Sequence, residues 1–99
     1  MSNRLIITAR ILPDGQPFKV IGRDAWALRN LVKAGETGCT PIDHPGPRWS
    51  AYVWKLRTKY GLVIETIEEK HEGQFSGSHA RYVIHSEVAI LAESDRMAA

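Results

Sequence analysis

The segment from Pro45 to Gly61, PGPRWSAYVWKLRTKYG, is basic, aromatic and free of Asp and Glu. Gly46 suits an N-cap, and Pro47 suits the first helical position, where its missing N–H costs no hydrogen bond. Gly61 supplies a C-terminal stop, because glycine readily adopts the left-handed conformation that ends many helices. The segment therefore predicts one short helix over 47–60.

The two sides of this predicted helix differ in character. At about 100° per residue, one side forms the apolar stripe of a helix packed on a core, with Trp49, Tyr52, Val53, Leu56 and Tyr60. The other side carries Ser50, Ala51, Trp54, Lys55 and Thr58, flanked by Arg48, Arg57 and Lys59. The outward side is therefore cationic around small residues and one large aromatic, which suits contact with phosphate groups.

The charge of the chain changes sign directly after this helix. With 99 residues and 43% hydrophobic content, one globular domain is expected, and the net charge of +2 argues only weakly for any partner. Residues 44–60 nevertheless hold four cations and no acid, whereas residues 61–73 hold four glutamates against one lysine. This asymmetry concentrates positive potential at the helix and repels nucleic acid from the strand that follows.

Enzymes and metal proteins are the classes that the sequence supports least. It contains no glycine-rich phosphate loop, no cysteine beside a paired histidine motif and no carboxylate pair in an apolar setting. His71, His79 and His85 lack the short ligand spacing of a zinc site, and Cys39 has no second cysteine to join it. We therefore predict no catalytic residue, no metal and no cofactor.

The cysteine content and the N-terminal sequence favour a cytoplasmic location. Cys39 is alone, so it cannot form an intramolecular disulfide, and it is expected to be a small buried hydrophobic residue. The first apolar run, Leu5 to Ile7, is too short for the core of a signal peptide or for a membrane span. No membrane partner is predicted.

The sequence predicts a single domain over 1–92. The predicted elements are an N-terminal β-hairpin over 4–22, a helix over 24–35, a single turn at 41–43, the basic helix over 47–60 and a β-hairpin over 62–85. Asp24 is a good N-cap for the first helix and Gly35 a good stop, while Thr40 caps the turn. The tail, 93–99, has no apolar periodicity and is expected to fray.

Several short segments of the chain resemble those of small bacterial and phage winged-helix proteins. They are Arg10–Phe18, Gly22–Leu28, Gly38–Ile42, Pro45–Tyr52, Lys55–Arg57, Ile64–Thr66 and His79–Val83. The resemblance implies an α+β fold, a winged helix-turn-helix with an N-terminal β-hairpin and a C-terminal β-hairpin wing. The chain departs from the usual pattern by shrinking the second helix of the motif to the turn at 41–43.

The resemblance also implies binding to double-stranded DNA, in the manner of a small transcriptional regulator. The basic helix then lies in the major groove and the wing reaches the neighbouring minor groove or backbone. Arg48 and Lys55 are the candidates for contact with base edges. The candidates for phosphate contact on the same face are Ser50, Arg57, Thr58 and Lys59, with the free N–H groups from Arg48 onward, beside Ala51 and Trp54. The wing candidates are Lys70, His71, His79 and Arg81.

A protein-binding module with the same fold is the alternative function. Aromatic and arginine side chains on an exposed face suit a protein interface as well as DNA. A phage adaptor or inhibitor of this kind would dock through Trp54, Tyr52 and the wing. A homodimer is a further expectation, because one short recognition helix makes few phosphate contacts and nonspecific binding weakens steeply with salt.

Overall fold

Two helices and five strands make up the part of the chain that the computed structural model describes. The description covers the backbone of residues 3–71 and 77–97 and the side chains of residues 5–70 and 77–94. In chain order the elements are β1 Asn3–Ile11, β2 Phe18–Ile21, α1 Arg23–Ala34, a 3₁₀ turn at Gly35–Thr37, α2 Trp49–Tyr60, β3 Ile64–His71, β4 Gly77–Ile84 and β5 Val88–Met97. Within these residues, no helix has the length and hydropathy needed to cross a bilayer.

Strands β2, β1 and β5 form an antiparallel sheet with β1 in the centre. Successive side chains of a strand point to opposite faces of its sheet. Leu5, Ile7 and Ala9 of β1 are accordingly buried in the core, while Ile6 and Thr8 are half-buried on the other face. This sheet packs on one side of α1. Helix α2 and the β3–β4 hairpin make up the rest of the fold, and both contact α1.

The C-terminal segment differs from the prediction that residues 93–99 fray. β5 runs through Met97 and pairs with β1 along its length, from Ile11 opposite Val88 to Asn3 opposite Met97. The segment lacks apolar periodicity, but an antiparallel neighbour supplies backbone hydrogen bonds that do not depend on side-chain pattern. Long-range pairing therefore orders a strand that local sequence does not predict.

Helix α1 begins at Arg23 and its N-cap is Gly22, not Asp24 as predicted. Gly22 has a φ of 73°, a conformation that other residues rarely adopt, and its N–H donates to the Leu5 carbonyl at 2.8 Å. Asp24 lies in the first turn instead, where a carboxylate suits the positive end of the helix dipole. The helix buries Ala25, Ala27, Leu28 and Leu31 against the sheet and α2.

The segment after α1 joins the edge of β4. Cys39 exchanges two backbone hydrogen bonds with Tyr82, at 2.9 and 2.8 Å. Gly38 permits this approach, because a Cβ atom there would lie 2.6 Å from the Tyr82 carbonyl oxygen. Cys39 is fully buried as expected, and burial raises the pKa of its thiol to about 11, so the thiol stays protonated at neutral pH.

One hydrogen-bonded turn at 41–43 stands between the two helices. The Thr40 hydroxyl accepts from the Asp43 N–H at 3.0 Å, and the Thr40 carbonyl accepts from the His44 N–H at 2.9 Å. Thr40 is therefore a capping residue for this turn, as the sequence predicts. The turn occupies the place in the chain order where the resemblance leads one to expect a second helix.

Helix α2 starts two residues later than predicted, at Trp49, with Arg48 rather than Gly46 as its N-cap. Gly46 lies under Trp26, where a Cβ atom would come within 3.0 Å of the indole ring. Gly61 ends the helix in the left-handed conformation, and its N–H donates to the Arg57 carbonyl at 3.1 Å. Close packing of the loop, rather than helix capping, explains the glycine at 46.

Strands β3 and β4 form a separate antiparallel hairpin whose tip, residues 72–76, lies outside the described residues. Ile64 stands opposite Ile84, and Thr66 opposite Tyr82. Ile64 and Tyr82 on this face are buried in the core. The base of the hairpin is therefore fixed to the domain.

Candidate nucleic-acid interface

Helix α2 presents a polar face to solvent and an apolar face to the core. Trp49, Tyr52, Val53 and Leu56 are buried. The exposed residues are those predicted to bind DNA, namely Arg48, Ser50, Trp54, Lys55, Arg57, Thr58 and Lys59, with Ala51 half-buried among them. The free N–H groups at the helix start begin at the N-cap Arg48, as predicted, because the first bond within the helix runs from the Tyr52 N–H to the Arg48 carbonyl.

Trp49 sets the position of α2 on the domain. Its ring stacks on Tyr82 of β4 with centroids 5.8 Å apart and an angle of 16° between the planes. It also contacts Trp26 of α1 at 5.3 Å, and its indole N–H donates to the His44 carbonyl at 2.7 Å. One buried side chain thus joins both helices, the preceding loop and the β3–β4 hairpin.

A cleft of about 400 Å³ lies between the start of α1 and the exposed face of α2. Arg23, Arg48 and Lys55 bring three cations to its lining, and Asp24 brings one carboxylate. The Lys55 ammonium is 3.9 Å from the Asp24 carboxylate. The two residues on which the DNA prediction rests most, Arg48 and Lys55, therefore share one cationic depression.

Arg57 and Thr58 are engaged within the protein. The Arg57 guanidinium donates to the Ile64 carbonyl from Nε at 3.0 Å and from Nη2 at 2.5 Å, and to the Thr66 hydroxyl at 2.7 Å. The Thr58 hydroxyl donates to the Trp54 carbonyl at 2.8 Å. Arg57 thus connects α2 to β3 by hydrogen bonds, whereas the sequence predicted only a contact with phosphate.

The wing candidates do not form one basic patch. Lys70 is exposed, and its neighbour on β4 is Ser78. His79 and Arg81 lie on the opposite face of the hairpin, where both contact the Glu69 carboxylate, at 3.1 and 2.6 Å. The side chain of the fourth candidate, His71, lies outside the described residues.

Arg81 connects the hairpin to the turn after α1. Its Nη1 donates to the Thr37 carbonyl at 2.9 Å, while its Nε donates to Glu69. This bond from Arg81 is the main cause that lowers the pKa of Glu69, against a smaller rise from desolvation and with a further lowering from His79. Glu69, His79 and Arg81, the Glu69 cluster, hold the hairpin against the turn after α1, so both cations are engaged within the protein.

We expect the Glu69 cluster to make the stability of the protein acid-sensitive. Because the pKa of Glu69 is lowered in the folded state, its contribution is present above about pH 4.5 and is lost as the pH falls through the folded-state pKa. Glu69→Gln should therefore lower the free energy of unfolding at neutral pH and lose that effect in acid. Urea unfolding at about pH 7 and about pH 3 measures both values.

Glu68→Gln is the matched control, because Glu68 is exposed and points to the other face of the hairpin. It should leave the unfolding free energy nearly unchanged at both pH values. An equal effect of the two variants at neutral pH would contradict the structural role of the Glu69 cluster.

Arg23 and Asp24 are cleft residues that the sequence analysis did not select. The sequence does indicate the contact between Arg23 and Trp26, because a residue three positions before Trp26 on a helix can reach over its ring. No comparable signal links Arg23 to Tyr52, which is 29 residues away and whose hydroxyl lies 3.4 Å from the Arg23 Nε. Among the described residues, no group of three or more His, Cys, Asp or Glu could hold a metal ion.

Comparison with protein families agrees with this architecture. Residues 17–94, most of the chain, match the family model described as a winged helix domain. The chain belongs to this family. No curated protein and no solved structure matches the chain. The family and the observed elements together confirm the predicted fold class, an α+β winged helix, and winged helix domains generally bind DNA without catalysing a reaction.

Proposed function

We propose that this winged helix protein binds double-stranded DNA through α2 and the β3–β4 wing, as a small transcriptional regulator of bacterial or phage origin. The family suggests DNA binding in general. The observation that carries the proposal is the exposed face of α2, where Arg48, Lys55 and Lys59 stand on a helix that contains no acidic residue.

We propose different roles for the cations of α2. Arg48 and Lys55 are seven residues apart, two helical turns, and both line the cleft beside the exposed face. In a helix inserted in the major groove, such long donors reach base acceptors, above all those of guanine. Ser50, Lys59 and the N–H groups at the helix start contact the flanking phosphates.

The wing provides the second contact of the proposed complex. Lys70 is exposed near the end of β3, on the face that carries Ile64 and Tyr82 at its base, and from there it can reach a phosphate of the adjacent minor groove. Arg81, Glu69 and Arg57 hold the two sides of the hairpin against the domain. The described part of the wing is therefore held against the domain and has few side chains to order on binding.

Fluorescence anisotropy with a labelled random-sequence duplex tests the proposal without knowledge of the operator. The protein should bind at micromolar concentrations at low salt, and log K should fall linearly with log salt by about 0.9 for each phosphate neutralised. An absence of binding at low salt, with the protein shown to be folded by circular dichroism, would contradict the proposal.

Asp24→Asn should raise the affinity for duplex DNA while it slightly lowers stability. The carboxylate lies 3.9 Å from Lys55 and repels phosphate, so its neutralisation strengthens binding. The same change removes a favourable charge from the first turn of α1, at a cost of about 0.3–1 kcal/mol. Anisotropy and urea unfolding measure the two effects, and an affinity unchanged or lowered in this variant would contradict the assigned role of the cleft.

A protein-binding function is the second candidate, favoured by Trp54. Its side chain is on the same face of α2 and the residue is 62% exposed, an unusual state for so large an apolar group. Tyr52 does not belong to such a surface, because its residue is only 7% exposed and its ring packs against Trp26 and Trp49. Loss of duplex binding in Trp54→Ala would place Trp54 in the DNA interface; retained binding would leave it for a protein partner or a second copy of the chain.

A further inference from the structure

We infer that the cleft between α1 and α2 is a phosphate-binding subsite in which Arg23 is the fixed donor. The inference deepens the proposed function and rests on it for the source of the phosphate, a backbone phosphate of duplex DNA beside the groove that receives α2.

Aromatic side chains hold the Arg23 guanidinium in place. Its central carbon lies 4.4 Å from the centroid of the Trp26 ring and 5.8 Å from that of Tyr52, and its Nε donates to the Tyr52 hydroxyl at 3.4 Å. Both rings are packed with Trp49. A guanidinium stacked on rigid rings loses little further freedom when it binds an anion.

The fixed guanidinium retains donors for a ligand. Of its five N–H groups, the bond to Tyr52 uses one. The Tyr52 hydroxyl, which accepts that bond, keeps its own O–H as a donor, and Tyr52 is among the residues that line the cleft. Gly46 lies beside the guanidinium, since a Cβ atom there would be in ordinary contact with Arg23 Nη2, at 3.4 Å.

The charge of the cleft selects an anion. Arg23, Arg48 and Lys55 contribute +3 and Asp24 contributes −1, which leaves a local charge of +2. The planar guanidinium fork of Arg23 matches the oxygens of a phosphate, while the charges of Arg48 and Lys55, whose donors reach base edges, attract the same phosphate at longer range. The cleft opens next to the outward face of α2, where the backbone of a bound duplex passes.

The test compares Arg23→Gln with Arg29→Gln in the full chain. Arg29 is also on α1, but it pairs with Glu93 of β5 at 3.6 Å and does not line the cleft. Each variant removes one positive charge, so the pair separates a contact from a change in net charge. Arg23→Lys is a third variant that keeps the charge and loses the planar fork.

The first arm measures duplex binding by anisotropy across a salt series. Arg23→Gln should reduce the slope of log K against log salt by about 0.9, the value for one phosphate. Between about 50 and 200 mM salt, the factor by which affinity falls should therefore be roughly 3.5 times smaller for this variant than for wild type. Arg23→Lys should keep most of the slope with weaker binding, and Arg29→Gln should keep the wild-type slope. An unchanged slope in Arg23→Gln, with duplex binding by the wild type intact, would overturn the subsite and leave the proposed function standing.

The second arm uses inorganic phosphate alone with ¹⁵N-labelled protein. Saturable shifts of the Arg23 and Asp24 amides, lost in Arg23→Gln and kept in Arg29→Gln, support the subsite independently of DNA. Saturation by phosphate without any duplex binding would assign the cleft to a free phosphate ligand and would overturn the proposed function. No saturable shift, together with an unchanged salt slope, would overturn the subsite.

Discussion

Trp49→Ala should destabilise the protein by about 3–5 kcal/mol, the usual cost of truncating a buried tryptophan. Trp49 is only 2% exposed and contacts Trp26, Tyr52 and Tyr82. The variant also leaves the His44 carbonyl without the indole N–H that donates to it. Because small domains have total stabilities of only about 5–15 kcal/mol, a loss of this size approaches global unfolding.

Urea unfolding followed by far-UV circular dichroism measures the effect, and Trp54→Ala is its matched control. The control removes the same side chain from the same helix at a residue that is 62% exposed, so its cost should stay within about 0.5 kcal/mol. Similar midpoints for the two variants would contradict the assignment of Trp49 as the residue that fixes α2.

The double substitution Arg48→Ala, Lys55→Ala should weaken binding to the preferred DNA site by about 2–6 kcal/mol. Each residue contributes about 1–3 kcal/mol if it reaches a base edge. The two side chains are separated by two helical turns, so their effects should be close to additive. The preferred site comes from selection of bound sequences out of a randomised duplex pool, and anisotropy on that site gives the affinities.

Lys19→Ala, Lys33→Ala is the control with the same loss of charge. Lys19 is exposed on β2 and Lys33 is in the last turn of α1, and neither lines the cleft. This control should bind the preferred site nearly as well as wild type, whereas Lys59→Ala should mainly lower the salt slope, by about 1. If both double variants lost affinity equally, net charge rather than α2 would determine binding.

The local features of the fold were largely predictable from the sequence. The apolar stripe of α2 and the stop at Gly61 follow from helical periodicity and the conformational freedom of glycine. The same reasoning failed at Gly46, where the glycine serves packing against Trp26. Capping chemistry and close packing select the same residue type, so the sequence alone does not separate them.

Features that depend on long-range contacts were not predictable. β5 is ordered by its pairing with β1, in which the partners lie 77 to 94 residues apart along the chain. Arg57 sits on the predicted face of α2, yet its donors reach β3 rather than solvent. Arg23 is held in the cleft by its hydrogen bond to Tyr52, a residue 29 positions away along the chain. Pattern analysis assigns a side chain to a face of a helix, but it does not reveal which distant groups that face meets.

Mapping of backbone amide shifts on addition of duplex DNA tests whether α2 is the DNA-binding surface, because it locates the interface without any substitution. We expect the largest shifts on α2 from Arg48 to Lys59, on Arg23 and Asp24 at the cleft, and on Lys70 of the wing. Shifts confined to the outer face of the β2-β1-β5 sheet, around Thr8 and Lys19, with α2 unaffected, would show that DNA does not bind through α2.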